Sequence, residues 1–177
     1  MNRSIAGVIV MLALPTVVFI GGGLALAKLS GRQIPDGFKP LNRRWSGYNA
    51  DEAACYWSAA ERKNPGAERR FLEMDLVFPF LYGGALAAGL LIGWALLGRL
   101  FSPAWLLAPV VIALIADWTE NLAQINQLGR FPGRLQESCI RIASMATVTK
   151  MIFLNFSGFL LFGLCVWWIW SSLQSRG

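Results

Sequence analysis

Histidine is absent from this chain of 177 residues. No imidazole is available for haem, chlorophyll, zinc or copper, and no Ser-His-Asp triad can be assembled. Cysteine is scarce. Cys55, Cys139 and Cys165 lie far apart and form neither a CxxC pair nor a zinc spacing. Cys165 falls in an apolar run and reads as a small buried hydrophobe. Charge is sparse as well, at 15% of residues against roughly 25% in soluble domains. No internal repeat, low-complexity tract, cofactor motif or metal-ligand cluster is visible, so neither a cofactor nor a metal is expected.

What the chain has instead is hydrocarbon. Hydrophobic residues make up 55%, the mean hydropathy is +0.49, and the excess sits in long runs. That pattern indicates a single integral membrane domain covering residues 1–177. Lys and Arg number 16 against 10 Asp and Glu, and the pI is near 9.7. The basic residues flank apolar runs, so they point to membrane orientation and anionic lipid rather than to nucleic acid.

Four spans are expected, at about residues 5–27, 74–97, 103–123 and 147–170. The first is long enough to cross about 30 Å of hydrocarbon. Pro15 is placed to kink it, and Gly21, Gly22 and Gly23 offer close helix approach. A cleaved signal peptide is the competing reading, with Arg3 as its basic start and "ALA" at 25–27 as its cleavage site, but the apolar run is too long for one. The second span begins before the membrane, in "AERRFLE". The link "GRLFS" forces spans two and three into an antiparallel hairpin. Span four ends in "VWWIW", where Trp167, Trp168 and Trp170 suit an interfacial belt.

The first loop, residues 28–72, opens turn-rich and continues as "NADEAACYWSAAERK". Asn49 and Glu52 form a capping-box signal and "NPG" a stop. Ala53, Tyr56, Trp57 and Ala60 share one face of this helix, which suits either the membrane interface or the bundle. Both large loops lie on one side with 13 Lys and Arg, leaving Arg3, Arg99 and Arg176 for the other. The positive-inside rule puts those loops in the cytoplasm, although Arg3 on a short leading tail argues the other way. A bacterial inner membrane is the expected location.

The unusual stretch is "IALIADWTENLAQINQ". Asp117, Glu120, Asn121 and Gln124 repeat at i, i+3, i+4 and i+7, one stripe of a helix. Ile115, Trp118, Leu122 and Ile125 take the opposite face, so the stripe is expected to face the bundle. Asp117 is the deepest, about 21 Å along the helix from Pro103. A carboxylate there needs a partner. Antiparallel order brings Asp75, Pro79 and Tyr82 of span two to the same end, with Thr147, Lys150 and Ser157 of span four. Asn155 falls off the Lys150 face. Asp75, Asp117 and Glu120 then face one base, Lys150, with Arg69, Arg70 or Arg141 as helpers. One account is a polar clasp bridged by Lys150. The other is a site in which Asp75, Asp117, Glu120 and Lys150 do acid/base or relay work, with Tyr82, Asn121 and Gln124 lining a pocket.

"MDLVFPFLYG", "DWTEN", "FPG" and "TVTKMIF", taken in order, resemble a pattern in small bacterial four-span membrane proteins known only as uncharacterised. The resemblance covers about residues 48–155 and rests on Asp75, Phe78, Pro79, Tyr82, Asp117, Glu120, Asn121 and Lys150. It implies the four-span architecture and carries no activity. The expected architecture is all-α, an antiparallel four-span bundle with an interfacial helix in the first loop. The expected partners are the lipid bilayer and other membrane proteins. Two functions are compatible with this. The chain is first read as a non-catalytic subunit or assembly factor of a membrane complex. The alternative is a small membrane enzyme or permease for a lipid-like or ionic substrate.

Overall fold

The structure, a computed structural model, describes residues 2–99 and 101–174. Arg176 and the side chain of Arg3, both counted above for orientation, lie outside the described residues. The protein is all-α, with α1 Asn2–Ser30, α2 Ala50–Lys63, α3 Ala67–Met74, α4 Phe78–Leu96, α5 Ala104–Leu128 and α6 Glu137–Gln174. Four helical stretches, Ile5–Ser30, Ala67–Leu96, Ala104–Leu128 and Glu137–Gln174, are long and apolar enough to cross a membrane. They pack together as the expected bundle.

The second stretch is two helices. Pro79 lacks an N–H and is tolerated only in a first helical turn. Accordingly α4 starts at Phe78–Pro79, and residues 75–77 form a joint behind α3. That joint sets Asp75 at the loop-side end of the bundle. α6 is one helix of 38 residues, about 57 Å long, so it overruns a bilayer and projects beyond it. The exposed Trp105, Trp167 and Trp170 gather at the opposite end, that of the short α4–α5 link, as an aromatic belt requires.

α1 runs helically through Pro15 and packs along α4, with only sparse contact to α6. The close approach is not made by Gly21 or Gly23, where an added Cβ would meet nothing within 4 Å. It is made by α4. A Cβ on Gly89 would come to 2.8 Å from the Met11 carbonyl oxygen, and one on Gly93 to 2.8 Å from the Met11 sulfur. Of Gly21, Gly22 and Gly23 only Gly22 is crowded, by the Phe78 ring.

The first loop folds into a cap with its own apolar core. Leu41, Tyr48, Ala53, Tyr56 and Trp57 pack there with Phe71 and Leu72 of α3, Leu128 of α5 and Ile140 of α6. The amphipathic face of α2, open to either reading from sequence, is thus covered by the bundle. Its capping box forms as expected: Glu52 N donates to Asn49 Oδ1 and Asn49 N to Glu52 Oε2, both at 2.9 Å. Arg32 ties the cap together. Its Nε and Nη2 donate to Glu68 at 2.8 and 2.7 Å, and its guanidinium stacks on Phe71 at 3.8 Å.

Candidate functional site

The polar stripe of α5 faces inward. Asp117, Glu120, Asn121 and Gln124 are buried, while Ile115 and Leu122 are more than half exposed. Lys150 enters from α6 and joins two of the acids, its Nζ lying 2.9 Å from Asp117 Oδ1 and 2.5 Å from Glu120 Oε2. Tyr82 of α4 donates to the other Asp117 oxygen at 2.7 Å. Asn121 donates from Nδ2 to Oδ2 of Asp75 at 3.2 Å and to its carbonyl at 3.3 Å. Gln124 Nε2 donates to Glu120 Oε1 and to the Tyr48 hydroxyl, both at 3.0 Å. One network therefore spans α4, α5, α6, the α3–α4 joint and the cap. In a medium without water, this many donors on buried carboxylates is what keeps them tolerable.

The three arginines considered as helpers do not take part. Arg69 pairs with Glu73 at 2.8 Å, and Arg70 donates to the Ser30 carbonyl. Arg141 is exposed, and among the described residues no ion pair connects it to the cluster.

A cavity of about 440 Å³ opens beside the network. Asp75, Tyr82, Asp117 and Lys150 line its inner end, and Arg32, Lys39 and Arg43 stand toward the cap. Asn121, Gln124 and Glu120 do not line it. They are essentially without exposure and lie behind its floor, where they orient the residues that do.

A second, larger groove of about 820 Å³ runs along the bundle between α1 and α6, lined by Leu12, Pro15, Thr16, Gly158, Phe159 and Phe162 among others. Phe19, Trp45, Tyr82, Met151 and Leu154 line both spaces, so the apolar groove and the polar cavity adjoin. Asn155 also lines the groove, its Nδ2 donating to the Met151 carbonyl at 2.7 Å. Its position off the Lys150 face thus places an amide in a mostly apolar slot.

Sequence reasoning missed Tyr48 and Ser144. Tyr48 N donates to Ser144 Oγ at 2.7 Å, which pins the cap onto α6 beside the network. Burial, with Glu120 close by, pushes the Tyr48 hydroxyl above its ordinary value, so it stays neutral and available as a hydrogen-bond group. Gly47, with φ +74°, makes the approach possible, because a Cβ there would press on Ser144 Oγ. The "SGY" tripeptide was the one available signal. No family model, curated protein or solved structure matches the chain.

Proposed function

We propose that the protein is a small membrane enzyme or permease for a lipid-like substrate, whose apolar part lies in the α1–α6 groove and whose polar part reaches Asp75, Asp117 and Lys150. The observation that carries this reading is the shared wall. Five residues line both the groove and the cavity, so an amphiphile fits with one end in each. Concave, mostly apolar pockets with a few convergent polar groups are the usual form of small-molecule sites. Asp117 is already committed to Lys150 and Tyr82. Asp75, whose one side-chain hydrogen bond among the described residues is from Asn121, is the better placed acid for contact with a substrate.

The test fills the groove. A Cβ at Gly158, which lines the groove, would meet nothing within 4 Å, so Gly158→Leu starts from open space and adds bulk to the groove. It is expected to reduce co-purified lipid, measured by native mass spectrometry, by at least about fivefold, the order of one lost apolar contact, with melting unchanged. Full lipid retention by this variant would remove the reading.

The subunit reading has one observation in its favour, the exposed tryptophans at the far end of α6. A stoichiometric protein partner that survives purification, and is lost on Trp167→Ala with Trp170→Ala, would favour it. For location, we propose a bacterial inner membrane with the cap in the cytoplasm. Cys55 is exposed on the cap, whereas Cys165 is buried. An impermeant thiol reagent is therefore expected to leave Cys55 unmodified in intact cells and to modify it after lysis. Labelling in intact cells would reverse the orientation.

A further inference from the structure

The charges around the cavity are ordered. Its inner end carries Asp75 and Asp117, with Glu120 behind them, against the single cation Lys150. Arg32 is spent on Glu68. Toward the cap, Lys39 and Arg43 are exposed, and no ion pair involves either of them among the described residues. The cavity is therefore rich in acids inside and basic at its rim. A purely anionic head group would suit the rim and be repelled by the floor. A simple cation would suit the floor and be repelled by the rim.

Three aromatic rings stand beside the acidic end. Phe19, Phe78 and Tyr82 all line the cavity. They touch one another with centroid separations of 5.7 Å for Phe19–Tyr82, 5.3 Å for Phe78–Tyr82 and 6.4 Å for Phe19–Phe78. Aromatic faces next to a carboxylate are the chemistry that recognises a substituted ammonium. Trp45, a near neighbour of Arg43 in the chain, lines both the groove and the cavity. An acyl chain can leave along the groove there while a phosphate stays at the rim.

Building on the lipid-site reading above, we infer that the cavity takes a zwitterionic phospho-ammonium head group. The ammonium lies against Asp75 and the Phe19, Phe78 and Tyr82 rings, and the phosphate lies at Lys39 and Arg43. Tyr82 meets the ligand as a ring, because its hydroxyl is already donated to Asp117.

The test uses the full chain in detergent micelles doped separately with phosphatidylethanolamine, phosphatidylglycerol or water-soluble glycerophosphoethanolamine, with binding read by native mass spectrometry and by melting. Phosphatidylethanolamine is expected to bind about tenfold tighter than phosphatidylglycerol, the order of one desolvated ammonium–aromatic contact. Asp75→Asn should bring the two lipids to near parity. Lys39→Gln with Arg43→Gln, both on exposed side chains, should weaken both lipids. Parity in the unmodified protein, or a preference that Asp75→Asn leaves intact, overturns the head-group inference. The lipid site still stands in that case if Gly158→Leu abolishes binding. Equal binding of glycerophosphoethanolamine keeps the head-group chemistry and overturns the lipid-like substrate, because the groove then contributes nothing. Absence of binding by all three probes overturns the head-group inference. Lipid retained through purification and lost on Gly158→Leu would still uphold the lipid site.

Discussion

Lys150→Met is expected to destabilise the protein by about 3–5 kcal/mol, because it strands buried carboxylates. The Lys150 side chain is 8% exposed, that of Asp117 5% and that of Glu120 0%. Removing the ammonium leaves Asp117 with the Tyr82 hydroxyl and Glu120 with the Gln124 amide. Those are neutral donors, worth about 1 kcal/mol each in net terms. They cannot replace a charge. Glu120 is the worse stranded of the two, since the ammonium holds its second oxygen. Lys150→Met combined with Glu120→Gln should therefore recover a large part of the loss, with a coupling of at least about 1 kcal/mol. Melting in detergent of both single variants and the double measures this. Additive losses would show that the bridge does not act as a unit.

The second large effect is expected in the cap. Arg32→Met should cost about 3–5 kcal/mol by leaving Glu68, 1% exposed, as a buried charge without its cation. Burial opposes the Arg32 charge, but Glu68 and Tyr56 outweigh it and raise the guanidinium above its ordinary value. The guanidinium therefore stays charged. The Tyr56 hydroxyl also bonds Glu68, at 3.2 Å. Burial pushes that hydroxyl up to about 12 against the pull of Arg32, so it remains a neutral donor. Tyr56→Phe is accordingly the mild variant, at about 1 kcal/mol. Arg32→Lys should fall between, since an ammonium keeps the charge and loses the two-pronged geometry. The same melting series ranks them, and an Arg32→Met protein as stable as the parent would show that the cap is held by its apolar core alone.

The contrast between these two clusters shows what the sequence could reveal. The spans were legible because uninterrupted hydrocarbon has few other meanings. The stripe from Asp117 to Gln124 was legible because the 3.6-residue period places four polar groups on one face, and antiparallel order then brought Lys150 to it. Arg32–Glu68 and Tyr48–Gln124 join residues 36 and 76 positions apart. No local pattern announces such pairs, so residues 28–72 read as a turn-rich loop with one helix instead of a cap. The glycines were legible only in part, for a related reason. Three consecutive glycines in α1 look like a packing motif, yet only the angle between helices decides which small residues meet. That angle selected Gly22, against Phe78, together with Gly89 and Gly93 of α4. The groove was illegible on the same ground, since it exists only through the separation of α1 from α6.

That separation gives the bilayer itself a hand on the site. α1 has a candidate span of 26 residues, more than the roughly 20 that a membrane core requires. A helix with surplus length tilts further as the surrounding hydrocarbon thins. The close α1–α4 seam at Gly89 and Gly93 would hold one flank through such a tilt, and the sparsely contacted flank facing α6 would be the one to move. Changes in membrane thickness would therefore alter the width of the slot between α1 and α6 while the network of Lys150, Asp117 and Glu120, carried by α5 and α6, stays fixed. If the proposed lipid site holds, occupancy of the cavity is expected to follow the acyl length of the host lipid as well as the chemistry of its head group.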